Sequence, residues 1–174
     1  GTTPSNAGFD IYKCDIEVPT LGANSPSNGS GSWSIISAPS GGGTFSDSAD
    51  NTATYSNAAP GVHTLAWTIT NGTCPTYVDL VDVYIAGTPT ANFSVANDCA
   101  GNPINFVDQT TANGTSISSW AWDLTGDGNA NTLNQNATYF YNTAGPKQAQ
   151  LIVTSQGCSD TAVVAFEVYP LPQI

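Results

Sequence analysis

Thr64-Leu65-Ala66-Trp67-Thr68-Ile69-Thr70 alternates between polar or small side chains and large apolar ones. A period of two marks a strand with one face on a core, because successive Cβ atoms of an extended chain point to opposite sides. Leu65, Trp67 and Ile69 therefore form one buried row, with Thr64, Ala66, Thr68 and Thr70 on the other face. Outward from this strand, Val81, Val83 and Ile85 form a last strand, and Trp33 in Ser32-Trp33-Ser34-Ile35-Ile36 marks an earlier one. Gly41-Gly42-Gly43 reads as an irregular connection. Clusters of Gly, Pro, Asn and Asp separate the runs, and no stretch carries the 3.6 period of a three-turn helix, so the chain is predicted to be all-β.

The plan then recurs. Ile104 and Phe106, Trp120, Trp122 and Leu124, Leu151 and Val153, and Val164, Phe166 and Val168 follow the same order of strands. Cys14 and Cys74 return as Cys99 and Cys158, and Tyr84 as Tyr169, a repeat of about 85 residues. Two tandem modules are expected, residues 1–86 and 87–174, joined by the short Pro-containing linker 86–90. Strands at this spacing with turn signals between them favour two-sheet sandwiches of immunoglobulin type over an open sheet.

Even numbers of cysteines on small β-rich units belong to oxidising space. The expected pairs are Cys14 with Cys74 and Cys99 with Cys158, because the spacings of 60 and 59 match and no thiol is left over. A loop of that length would contribute roughly 4 kcal/mol in the chain-entropy model. The first and last turns of such a sandwich lie at opposite ends. These pairs therefore require the first cysteine to sit beyond the first turn, within a Cα separation of about 7 Å.

The 174-residue chain has thirteen acids against two lysines, Lys13 and Lys147, and a net charge of −11. That charge repels phosphate backbones and anionic lipid faces, so neither nucleic acid nor a membrane surface is an expected partner. No run of 18 apolar residues exists for membrane insertion, and residues 1–8 lack the features of a signal peptide. The expectation is a segment of a longer precursor, with neighbouring modules of the same chain as partners. Residues 169–174 read as the start of another linker.

Trp120-Ala121-Trp122-Asp123-Leu124-Thr125-Gly126-Asp127-Gly128, followed by Tyr139-Phe140-Tyr141, Gly145 and an alternating strand through Val153, resembles the polycystic kidney disease (PKD) domain family. Thr125 is an extra residue relative to the family pattern, and Phe140 stands where a small polar residue often precedes the tyrosine. The resemblance covers residues 88–174. Gly31-Ser32-Trp33, Ala59-Pro60-Gly61 and the strand from Trp67 to Cys74 resemble PKD-like or immunoglobulin-like repeats of large Bacteroidetes surface adhesins. The resemblance implies non-catalytic β-sandwiches in an extracellular, cell-surface or secreted protein. They would act as spacer or adhesive units of a large adhesin, or as accessory modules beside secreted hydrolases.

One segment has metal-ligand spacing: Asp123, Thr125, Asp127, Asn129 and Asn131 place oxygens at alternate positions around a glycine turn, which suits calcium. Asn134 stands where a bidentate glutamate would complete that loop. The favoured reading is a polar turn in which Asp123 accepts backbone N–H groups. His63, the single histidine, has no base, acid or nucleophile beside it and is expected on the surface at a strand start. Asp79 and Asp82 fall on opposite faces of a strand, which reads as solvated carboxylates instead of a glycosidase pair.

Trp33, Trp67, Trp120 and Trp122 read as core, leaving Tyr55, Tyr77 and Tyr84 as the expected exposed candidates for glycan or surface-protein contact. Asp47-Ser48-Ala49 and Asp160-Thr161-Ala162 resemble the Bacteroidetes O-glycosylation motif, making Ser48 and Thr161 candidate sugar sites. Asn28, Asn71, Asn92, Asn113 and Asn136 begin N-glycosylation triplets, which matter in a eukaryotic host. The leading expectation is thus a stiff, disulfide-clamped tandem module of a surface adhesin or fibre that requires no cofactor. The alternatives are a carbohydrate-binding module of a secreted hydrolase and a fibre subunit that self-associates through sheet edges.

Overall fold

The computed structural model describes residues 1–172, and those residues form strands and turns throughout. The linker-like reading of 169–174 extends to Gln173 and Ile174, which lie outside the described residues. The chain divides into two compact units, Gly1–Gly87 and Thr88–Ile174.

In the first unit, β1 (Ile11–Cys14), β2 (Ser30–Ser37), β5 (Gly61–Thr70) and β6 (Tyr77–Ala86) form a sheet in the order β1-β6-β5-β2. The pairs are antiparallel except β1, which runs parallel to the end of β6. The row read from the sequence faces inward: Leu65, Trp67 and Ile69 are buried opposite Val81, Asp79 and Tyr77 in register. Against this sheet pack the two-residue strands β3 (Thr44–Phe45) and β4 (Tyr55–Ser56), with residues 19–24 laid along 51–55 through Leu21, Ala23 and Tyr55 N–H bonds. Trp33 and Trp67 are directly paired across β2 and β5, with ring centres 5.0 Å apart.

Two glycines are required here for space. A Cβ on Gly31 would stand 2.1 Å from the Trp67 ring, and one on Gly43 would stand 2.2 Å from the Tyr55 ring. The irregular Gly41-Gly42-Gly43 connection is therefore also a packing surface.

The second unit comprises β7 (Phe93–Val95), β8 (Asp98–Cys99), β9 (Pro103–Asp108), β10 (Ser119–Asp123), β11 (Ala137–Phe140), β12 (Gly145–Ser155) and β13 (Cys158–Tyr169). These make two facing sheets, β10-β12-β13-β8 and β11-β9-β7. Phe106 of one sheet meets Phe166 of the other edge-to-face at 5.5 Å, and Phe93 meets Trp122 at 5.0 Å. Burial of Ile104, Leu151, Val153 and Val168 completes the core. Gln156 (φ 48°) and Gly157 (φ 86°) join β12 to β13. Two consecutive positive φ values suit the right-handed twist of a tight hairpin and set its register.

All four indole N–H groups have acceptors. Trp33 donates to Asp50 O, Trp67 to Asn24 O, Trp122 to Asn134 O and Trp120 to an Asp108 carboxylate oxygen. Each tryptophan thereby ties a loop or a second strand to its sheet. Trp33, Trp67 and Trp122 are core side chains, while Trp120 is half-buried against the same core as Trp122.

Candidate functional site

The cysteines overturn the expected pairing. Cys74 and Cys99 carry free thiols, whereas Cys14 and Cys158 are disulfide-bonded. The reason lies in the topology of each unit. Cys14 pairs with Ala86 at the end of β6, while Cys74 stands in the turn before β6 begins. Cys99 pairs with Tyr169, the last residue of β13, and Cys158 is its first. A strand of this length spans about 30 Å. A disulfide needs Cα atoms within about 7 Å, so neither unit closes its own pair.

The turn after β10 is organised by Asp123. One carboxylate oxygen accepts the N–H groups of Thr125 (3.0 Å) and Gly126 (2.7 Å), and the other accepts that of Gly128 (2.8 Å). Partial desolvation pushes the Asp123 carboxyl up, but backbone N–H groups of Gly128, Gly126, Thr125 and Asp127 outweigh it and hold the group below its ordinary range. The neighbouring side chains also serve the loop itself. Thr125 Oγ1 bonds to Asp123, Asp127 accepts the Asn129 N–H, and Asn131 accepts the Leu124 N–H at 2.6 Å. In this arrangement the carboxylates of Asp123 and Asp127 and the amide oxygen of Asn131 are directed at the turn's own N–H donors. Among the described residues, no group of three or more His, Cys, Asp or Glu is placed to hold a metal ion.

Two expectations about exposure fail together. Tyr55 and His63 are both fully buried, and the Tyr55 hydroxyl is 3.0 Å from His63 Nδ1. His63 Nε2 lies 2.7 Å from the Ala59 carbonyl. Tyr55 sits on a strand of two residues, too short to display a period, so its inward direction has no sequence signal. His63 does have one: it continues the row Leu65-Trp67-Ile69 by one step of two and is the buried polar member of that row.

Tyr77 is 42% exposed at the start of β6. Tyr84 is half-buried and stacks on Tyr12, its register partner on β1, with ring centres 4.4 Å apart and planes 3° from parallel. Tyr12 itself is 70% exposed, and the sequence reading missed it because β1 is short and precedes any clear alternation. Partial burial first, then Asp82, Tyr12 and Asp10, raise the Tyr84 phenol above its usual range. Asp10 also lines a groove of about 510 Å³ with Asn6, Phe9, Thr20 and Asn24, where Phe9 is 95% exposed.

The carboxylates Asp79 and Asp82 have structural partners: Asp79 accepts the Ala7 N–H at 2.7 Å, and Asp82 accepts the Thr64 hydroxyl at 2.7 Å. Asp47 accepts the Ala49 N–H, leaving Ser48 exposed at the rim of the β3–β4 connection. Thr161 is exposed on β13, and the neighbouring Asp160 accepts the Ala91 N–H. A second groove, of about 300 Å³, is lined by Tyr139, Tyr141 and Lys147 among others, with the Lys147 ammonium 5.9 Å from the Tyr141 ring centre. Desolvation, then Tyr139 and Asp123, push the Tyr141 phenol up to about 12. Its hydroxyl donates to Leu124 O at 2.6 Å. No helix among the described residues is long and apolar enough to cross a membrane.

Residues 86–168 match the sequence model of the PKD domain family. No curated protein matches the chain. Among solved structures, the PKD1 domain of the Vibrio cholerae metalloprotease PrtV is 26% identical, with 47% of this chain and 98% of that one covered and a TM-score of 0.41. The PKD1 domain of Vibrio anguillarum Epp is 24% identical, with 48% and 95% covered and a TM-score of 0.43. The N-terminal eight Ig domains of the Down Syndrome Cell Adhesion Molecule are 11% identical over 98% of this chain and 24% of that one, with a TM-score of 0.70. That last likeness is one of fold: the two units are immunoglobulin-like β-sandwiches. The family match lies in the second unit, where the Trp120 to Gly128 motif stands.

Proposed function

We propose that this chain, whose second unit carries the PKD sequence pattern, is a non-catalytic extracellular segment that serves as a mechanical spacer in a larger surface or secreted protein. The observation that supports it is the tying of the connector. Ala86 still belongs to β6 and its carbonyl accepts the Asp15 N–H, while the Thr88 carbonyl already accepts Asn113 Nδ2. Thr90 then pairs with Thr111 by reciprocal N–H bonds, and Ala91 is held by Asp160. Little slack is left to absorb extension before the folded units take the force.

Pulling single molecules tests this. Two discrete unfolding events are expected from the reduced chain, with a shorter total extension while the disulfide is intact. Extension without distinct force peaks would remove the spacer role.

A second reading, glycan recognition, is favoured by the stacked Tyr12–Tyr84 pair and the polar groove beside Asp10, since aromatic faces pack on the apolar faces of sugar rings. Retention on a glycan array that is lost in Tyr12→Ala would support it. A silent array leaves the spacer reading alone.

A further inference from the structure

The four cysteines are of two kinds. Cys14 and Cys99 are strand-end cysteines with one local geometry in both units. Each lies opposite the last residue of its unit's last strand, Ala86 or Tyr169. The following residue donates to that residue's carbonyl, Asp15 N at 2.9 Å and Ala100 N at 2.8 Å. Each cysteine carbonyl accepts the N–H three residues on, from Glu17 at 2.9 Å and Asn102 at 3.1 Å. A carboxylate holds each cysteine N–H: Glu17 Oε2 at 2.9 Å for Cys14 and Asp98 Oδ1 at 2.6 Å for Cys99. Cys74 and Cys158 are hairpin cysteines, placed where the chain turns into the last strand.

Each kind has one oxidised and one reduced member. Cys14 and Cys158 are disulfide-bonded, and their counterparts Cys99 and Cys74 are free. The bonded members show that both local geometries accept a disulfide. The free members are within reach of solvent, Cys74 exposed and Cys99 half-exposed. The chain therefore presents one free cysteine of each kind.

We propose that Cys99 and Cys74 are the two halves of a covalent head-to-tail junction, in which Cys99 of one copy of this chain bonds to Cys74 of the next. The inference rests on the cysteine positions and is independent of the spacer reading. The oxidant is a small-molecule disulfide. The Cys99 thiolate attacks it to form a mixed disulfide and release one small thiol, and the Cys74 thiolate of the second copy then attacks the Cys99 sulfur and releases the other. Two cysteine protons and two electrons leave, and one disulfide becomes two thiols. A junction between unlike ends is heterologous, so joined copies extend into a linear series.

The test is to incubate the purified chain, without reductant, with glutathione disulfide at rising protein concentration and to analyse it on non-reducing gels and by peptide mass mapping. A ladder whose new cross-link joins the Cys74 and Cys99 peptides of different copies is expected. Cys74→Ser alone and Cys99→Ser alone should give no ladder, while a mixture of the two gives a dimer and nothing larger. Monomer capped by glutathione, a Cys74–Cys99 bond within one chain, or symmetric Cys74–Cys74 or Cys99–Cys99 dimers would overturn it. Should either variant fail to fold, the identity of the cross-linked peptides from the unmodified chain decides alone.

Discussion

Gly31 and Gly43 show how single absent side chains shape the first unit. Neither has a positive φ, so both are kept small by their neighbours and not by backbone strain. An added methyl would push on the Trp67 or Tyr55 ring, each fixed by packing and by a hydrogen bond. Overpacking of this kind costs about 1–3 kcal/mol. Gly43→Ala and Gly31→Ala are expected to lower the melting temperature of the first unit, read by calorimetry, while Gly22→Ala, which meets nothing within 4 Å and has no positive φ, leaves it unchanged. Equal melting of Gly43→Ala and the unmodified chain would contradict this packing. The same pocket explains what the sequence hid. Trp67 was legible as core from alternation, but Tyr55 was not, because two strand residues carry no period and tyrosine suits both the surface and the interior.

At the scale of elements, the long strands were readable and the short ones were not. β5, β6, β12 and β13 each alternate over ten or more residues, which fixes the inward face. The Asp123 turn was readable too, since the Asp-x-x-Gly-x-Gly spacing supplies a carboxylate and three nearby N–H groups. The cysteine pairing was not readable, because a spacing of 60 residues does not say at which end of a strand each cysteine falls.

Acid is the natural probe of these carboxylate-organised joints. Asp108 is pushed up by burial, yet hydrogen bonds from Thr110, Trp120 and Gln135 hold it below its ordinary range, as the turn does for Asp123. A depressed carboxyl binds fewer protons folded than unfolded near its usual value of about 3.9. Its stabilisation is therefore complete above that value and is lost as pH falls through the lower folded one. The second unit should melt at constant temperature from pH 8 to about 5 and progressively lower below about 4. Asp108→Asn should flatten that decline, and a melting temperature that rises on acidification would be incompatible with it.

Across each whole unit, the last strand pairs both with the strand before it and with a strand near the start of its repeat. β6 lies between β5 and β1, and β13 between β12 and β8, so both sheets are completed by the final residues of their repeat. Removing residues 160–172 would strip β12 of one of its two partners and take Phe166 and Val168 out of the core that holds Trp122. A red-shifted tryptophan emission and loss of the second unit's transition, with the first retained, are expected. A retained second transition would mean that β13 is dispensable.

That ordering also sets a timetable. Ile11 finds its partner only at Val83, and Asp98 only at Val168, so each repeat must close contacts some seventy residues apart before its sheet is whole. Topologies dominated by such distant pairings fold on the order of milliseconds to seconds. A ribosome or secretion pore releasing this chain from its N-terminus therefore delivers almost the whole of a repeat before β1 or β8 has a neighbour. For that interval the emerging polypeptide is an unfinished sheet with an open edge, and whatever binds the nascent chain meets strands still waiting for their partners.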